Sequence, residues 1–348
     1  MSLLMEHMIG LTDTAYLGRV GEVELGASAL AGVYYLVIYM LGFGFSIGAQ
    51  VLIARRNGAQ EYKRIGPVFL QGTFFLLLLA ALLFTFSHLY SPFFLRKLID
   101  SDGVYQATME YVDWRVYGFF FSFVAVMFRA FYVGITKTRI LTINSVVMVL
   151  TNVMLNYVLI FGKFGLPALG IAGAAMATAM GQIIGGTIPL VYFLRKNSSS
   201  LRFRRPKWDG GALRRACTNG VSELMSSISM SIVGMLYNAQ LMRYAGENGV
   251  AAYGTIMYVD FIFLAIFIGY ATGVAPVISY HYGAGNKKEL NNLLKRSVLL
   301  IAAASLSMLL LSEVMAAPLA AIFVGYDAGL LDMTVHAYSI YHALFIAI

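Results

Sequence analysis

Asp13 is a carboxylate inside an almost wholly apolar opening segment, in the stretch LTDTAYLGRVG from Leu11 to Gly21. A carboxylate well inside a membrane span costs about 3 kcal/mol on insertion scales, and such residues usually face a cavity or a partner. Two chemistries fit. Either Asp13 lies near the outer end of its helix and snorkels or caps, or it takes up a proton or cation inside a helical bundle. Glu6 precedes it by two helical turns, so both acids share one face about 10 Å apart, with Glu6 a relay or a merely buried acid. Asn152 and Asn156, spaced i, i+4, also share a helix face. Amides offer oxygen acceptors and N–H donors together, for an ion site or for interhelical hydrogen bonds. Glu223 and Asp260 are further acids within apolar runs, each suited to contact an ion or a cationic ligand or to be paired at an interface.

Such residues need elements to hold them, and composition says which. The 348 residues are 59% hydrophobic and 12% charged with mean hydropathy +0.74, where a soluble domain is about 25% charged. That is an all-α polytopic membrane protein. A bilayer core roughly 30 Å thick takes about 20 apolar residues per helical span, and such runs fall near 1–18, 25–54, 65–92, 105–135, 140–161, 168–194, 216–244, 250–280, 290–318 and 330–348. The first lacks the charged start and cleavage site of a signal peptide. The first and last runs read as incomplete spans, so both ends are expected to be cut.

Lys and Arg cluster in alternate loops, 18 against 5, and the positive-inside rule puts the richer set, around 55–64, 137–139, 195–215 and 287–296, in the cytoplasm. The net charge of +8 is thereby accounted for without nucleic acid as a partner. Ser, Pro and Gly in RKNSSSLRFRRPKWDGGALRR mark residues 195–215 as a basic cytoplasmic linker between an N-terminal lobe, 1–194, and a C-terminal lobe, 216–348. Arg129, near cytoplasmic Lys137, is expected to snorkel. The single cysteine, Cys217, excludes an intrachain disulfide. No phosphate-cradling loop, metal-ligand spacing or nucleophile–base pair points to an enzyme or to a resident cofactor.

The chain repeats itself. GEVELGASALAGVYYLVIYMLGFGFSIGAQVLIARRNGAQEYK from Gly21 runs without a gap beside GENGVAAYGTIMYVDFIFLAIFIGYATGVAPVISYHYGAGNKK from Gly246, an offset of 225. Gly44 meets Gly269, Gly48 meets Gly273, Gly58 meets Gly283 and Lys63 meets Lys288. Six spans separate the copies, so both face the same way, as two parallel repeats related by an axis along the membrane normal. Two such units make about twelve helices in roughly 450 residues, of which this chain would hold about ten helices.

LTDTAYLGRVG, GFGFSIGAQVLIARRNGAQ, FRAFYVGITKTRILTINSVVM, NVMLNYVLIFG and GIAGAAMATAMGQ resemble the first half of the multidrug and toxic compound extrusion (MATE) family, nearest its DinF-like bacterial branch. NGVSELMSSISMSIVGMLYNAQLM and GYATGVAPVISYHYGAGN are similar to its second half. The resemblance implies a twelve-helix fold of two six-helix lobes in the bacterial inner membrane. It also implies an antiporter that exports organic cations against protons or sodium ions, acting as a monomer with lipid around it. It makes Asp13 the coupling acid, with Asn152, Asn156 and Thr178 beside it. Thr178 matches a family position near this cluster, although a helix-packing threonine reads nearly as well. Some relatives carry Asp where this chain has Asn156, which leaves the number of ions bound open. A lipid-linked-sugar flippase of the same superfamily is the alternative, expected to line its cavity with several Arg or Lys, of which the first lobe offers Arg115 and Arg129.

Overall fold

The computed structural model describes residues 2–99, 101–194, 208–324 and 328–342, and the described residues are helices joined by short turns. In chain order these are α1 (Ser2–Leu17), α2 (Glu22–Gly58), α3 (Tyr62–Leu98), α4 (Asp102–Arg115), a 3-10 turn (Val116–Gly118), α5 (Phe119–Gly134), α6 (Arg139–Phe161), α7 (Gly170–Leu194), α8 (Gly210–Gly283), α9 (Lys287–Val324) and α10 (Ala328–His342). Six helical stretches among the described residues are long and apolar enough to cross a membrane. The other expected spans lie on α1, the two parts of α8 and α10, which are helical over their described residues. At 37 residues each, α2 and α3 run about 55 Å, well beyond the roughly 30 Å hydrocarbon core.

Two compact units form, Met1–Leu224 and Met225–Ile348. Most of the expected 195–215 linker lies outside the described residues, and the first turns of α8, through Leu224, cluster with the first unit. In that unit the core is aromatic: Phe119, Phe123, Phe128, Phe131 and Tyr132 of α5 are fully buried among α2, α3 and α7. In the second unit Ala252, Ile256, Ala316, Ala320, Leu330 and Tyr338 pack together, and Tyr338 Oη donates to the Thr255 carbonyl at 3.3 Å.

α8 is continuous in hydrogen bonding but breaks at Gly246, whose φ of 62° and ψ of −156° belong to a region that glycine alone occupies readily. The break falls where the second copy of the repeat begins, 225 positions after Gly21, the residue before α2. From there the helix boundaries recur at the same offset: Gly58 and Gly283 end helices, Tyr62 and Lys287 begin the next. The turns between them match bond for bond. Ala59, Gln60 and Glu61 donate to the carbonyls of Arg55, Asn57 and Arg56, and Ala284, Gly285 and Asn286 donate to Tyr280, Tyr282 and His281. Gln60 and Gly285 both take positive φ, 57° and 67°, to close the turn.

Arg129 does not snorkel. It is 9% exposed, with its guanidinium 5.1 Å from the centre of the Phe43 ring, because α2 and α5 pack too closely there for the side chain to leave the bundle.

Candidate functional site

The site is assembled by α1, α4, α6 and α7, and small residues let these helices approach. Gly162 caps α6 in the left-handed conformation at φ 63°, and the Leu169 N–H bonds the Leu159 carbonyl at 2.9 Å, which turns α7 back along α6. Gly173 of α7 then lies against the α6 backbone, where an added Cβ would stand 2.7 Å from the Leu159 carbonyl carbon. This is close small-residue packing of the kind membrane helices use. One turn and more along α7, it brings Thr178 to Asn152, whose Nδ2 donates to Thr178 Oγ1 at 2.9 Å.

Asp13 enters this seam from α1 and is 5% exposed. Its Oδ1 accepts from Asn156 Nδ2 at 2.6 Å and from Asn152 Nδ2 at 3.3 Å. Its Oδ2 accepts from Thr178 Oγ1 at 2.7 Å and from Tyr111 Oη at 3.3 Å. Asn156 Nδ2 also reaches Asn152 Oδ1 at 3.1 Å. Asn152, Asn156 and Thr178 are at most 1% exposed, so no solvent-facing route competes for these bonds. The four residues that the sequence singled out on three separate helices therefore meet at one point. The side chains of Glu6, Glu223 and Asp260 lie outside the described residues.

Two partners of Asp13 were not predicted from the sequence. Tyr111 and Arg115 stand one turn apart on α4, and Arg115 Nη1 lies 3.9 Å from Asp13 Oδ2 and 3.3 Å from Tyr111 Oη. The Arg115 guanidinium sits 4.2 Å from the Tyr35 ring centre, a cation–π contact. Tyr35 is itself pinned: its hydroxyl accepts from Gln182 Nε2 at 2.9 Å and pairs with Ser122 Oγ at 3.1 Å. Gly118, in the 3-10 turn below Arg115, leaves room for the Gln182 amide, which any Cβ there would displace. The i, i+4 spacing of Tyr111 and Arg115 was visible in the sequence, but α4 mixes polar and apolar residues and nothing in it marks which face turns toward Asp13.

Magnitudes show why the cluster holds together. Two charges within an apolar bundle cost about 3 kcal/mol each on insertion scales. Their attraction at about 4 Å is roughly 4 kcal/mol at an effective dielectric of 20. That leaves a deficit, which charge-assisted hydrogen bonds of about 1.5–3 kcal/mol each, several of them to one carboxylate, offset. The arrangement offsets the cost of a charged Asp13, and the same carboxylate can accept a proton.

The MatE family model matches residues 1–158 and 224–348. A probable multidrug resistance protein NorM of Idiomarina loihiensis is 25% identical over 300 residues, 82% of this chain and 62% of that protein. Another, of Rhizobium meliloti, is 27% identical over 290 residues, 81% of this chain and 61% of that protein. The chain thus spans about three fifths of the length of these curated relatives. A crystal structure of MATE in the bent conformation superposes with a TM-score of 0.90 at 18% identity, covering 99% of this chain and 76% of that one, and so shares its fold.

Proposed function

The chain belongs to the MatE family, and from that premise we propose that it acts in a secondary antiporter rather than as an enzyme. It exports cationic or amphipathic compounds by alternating access in exchange for H+ or Na+. It works without a resident cofactor, as a multi-pass protein of the bacterial cytoplasmic membrane and as a monomer in lipid. The observation that carries this reading is the single carboxylate of Asp13 enclosed by Asn152, Asn156 and Thr178 in the first unit. Drugs enter the reading through the relatives described as probable multidrug resistance proteins.

Neutralising Asp13 removes the charge that the cage is arranged around, and only a ligand with different affinity for the two states can shift the helix positions. Proton uptake at Asp13 has that differential effect. The flippase alternative loses support because Arg115 is paired with Asp13 and Arg129 is buried against Phe43, so neither is presented for a pyrophosphate. The test is dye efflux from energised inverted vesicles under an imposed proton or sodium gradient, wild type against Asp13→Asn. Efflux that follows one gradient and vanishes in the variant supports the reading. A variant that transports like wild type makes Asp13 structural.

A further inference from the structure

The Asp13 site already contains a cation. Arg115 Nη1 lies 3.9 Å from Asp13 Oδ2, and its side chain is only 14% exposed. Every other neighbour presents a donor to the carboxylate: Asn152 and Asn156 to Oδ1, Thr178 and Tyr111 to Oδ2. A hard cation needs several oxygens turned toward it together, and here N–H and O–H groups fill those directions. From each element packed against Asp13 the titratable or charged groups are few. Among the described residues α4 contributes Tyr111 and Arg115, α2 contributes Tyr35 behind Arg115, and α6 and α7 contribute only amides and a hydroxyl. Asn156 stands beside the carboxylate, and among the described residues no second acid touches Asp13 to draw a metal ion in.

One buried acceptor is left over. Among the described residues Asn156 Oδ1 has no donor, although Nδ2 of the same amide is 2.6 Å from Asp13 Oδ1. An ionised Asp13 cannot satisfy it, because a carboxylate only accepts, whereas a protonated Asp13 carries one O–H to donate. Among the described residues the cluster therefore has a place for one proton, and its cation position is already held by Arg115.

We propose that Arg115 is the resident counter-cation of Asp13, so that this chain couples to protons and is refractory to sodium, and that proton uptake at Asp13 frees the guanidinium charge to expel a cationic substrate. This rests on the antiporter reading above and names its ion. With Asp13 ionised, the Asp13–Arg115 pair is neutral and a cationic substrate meets no net repulsion in the first unit. With Asp13 protonated, the pair carries one positive charge fixed against the Tyr35 ring. Proton and substrate then exclude each other electrostatically without sharing a contact. Arg115 acts through Asp13 and is a positioning residue, not a group that touches the substrate.

Two readouts on the purified chain decide the matter separately. The first is the thermal midpoint with Na+ replacing K+ at constant ionic strength. Wild type and Arg115→Lys should be indifferent to the exchange, and Arg115→Gln should be stabilised by Na+ specifically, because its unbalanced carboxylate can now take the ion. Sodium-specific stabilisation of wild type overturns the proposal, even if Arg115→Gln fails to fold. So does an Arg115→Gln variant that folds and ignores sodium. The second readout is ethidium binding at pH 6 and pH 8. Wild type should bind more weakly at pH 6 by roughly 5- to 150-fold, the range of coupled sites, and Asp13→Asn should lose most of that dependence; an Asp13→Asn variant that keeps it overturns the proposal. Ethidium that binds no form at either pH would end the efflux reading, while the sodium arm would still decide the role of Arg115.

Discussion

Asn156 makes the shortest bond to Asp13, at 2.6 Å, and the value of that bond depends on the charge it meets. Replacing Asn156 with Leu removes a charge-assisted hydrogen bond from a buried carboxylate and should cost about 1.5–3 kcal/mol. A double-mutant cycle with Asp13→Asn, read from unfolding in detergent, should show that the two losses are not additive, since they remove one interaction. Asp209 is a different case, outside the membrane. Its carboxylate accepts the Ala212 N–H at 3.0 Å and Arg56 Nη2 at 2.9 Å, and these hold it below the ordinary carboxylate range. A depressed folded value means the stabilisation is present above the unfolded pKa of about 3.9 and is lost as pH falls through the folded one. Asp209→Asn should therefore lower the thermal midpoint slightly at pH 7, and the gap to wild type should close in melts taken below about pH 4. The effect is small because the Asp209 side chain is 44% exposed. At this scale Asp13, Asn152 and Asn156 stood out as polar residues against an apolar background, and Thr178 entered through the family resemblance. Arg115 was visible as a basic residue of the first lobe, but its pairing with Asp13, like that of Tyr111, was not legible, because only packing distinguishes the inward face of α4.

The seam between α6 and α7 is what turns spacing into a site. Gly173 has the Leu159 carbonyl carbon and oxygen within 2.8 Å of where a Cβ would be, and both are backbone atoms that cannot rotate away. Gly173→Ala should push the helices apart, cost about 1–3 kcal/mol as an overpacked contact, and, under the proposed antiport, abolish efflux by separating Thr178 from Asn152. Gly32 of α2 is the control, with open space around it. Alanine there should be neutral or stabilise by up to about 1 kcal/mol through helix propensity. Unfolding midpoints of the two variants in one detergent check the contrast, and equal losses would show that the seam is not tight. Helix positions were legible from run length, and α2, α3, α6 and α9 begin and end within a few residues of the expected runs or extend past them. The extensions were not, since hydropathy reports the hydrocarbon region and these helices continue into polar surroundings.

At the level of the whole chain, the positive-inside count predicts an orientation, and it is testable because Cys217 is the only native thiol. In a Cys217→Ser background, a cysteine at Gln60, in the α2–α3 turn, should react with an impermeant maleimide in inverted vesicles and not in intact cells. A cysteine at Phe164, 90% exposed in the α6–α7 turn, should show the opposite pattern. The reverse labelling would invert the topology. The repeat also belongs to this scale. Nine residues in register suggested it, and the recurrence of helix ends and of three turn hydrogen bonds at the same offset shows that the copies share a backbone as well as a pattern.

The sequence by itself determined that the chain is helical, that it crosses a membrane several times, that it repeats after 225 residues, and that Asp13 is out of place unless something pairs with it. These follow from local composition and period, which fix burial in lipid and helix length one segment at a time. Only the tertiary structure decided what pairs with Asp13. Arg115 is 102 positions away, and its approach depends on the α4–α5 turn at Gly118, the Gln182–Tyr35 bond and the α6–α7 seam acting together. A charge pair between distant segments leaves no period in the chain, so its existence, and the counter-cation role drawn from it, came from packing alone.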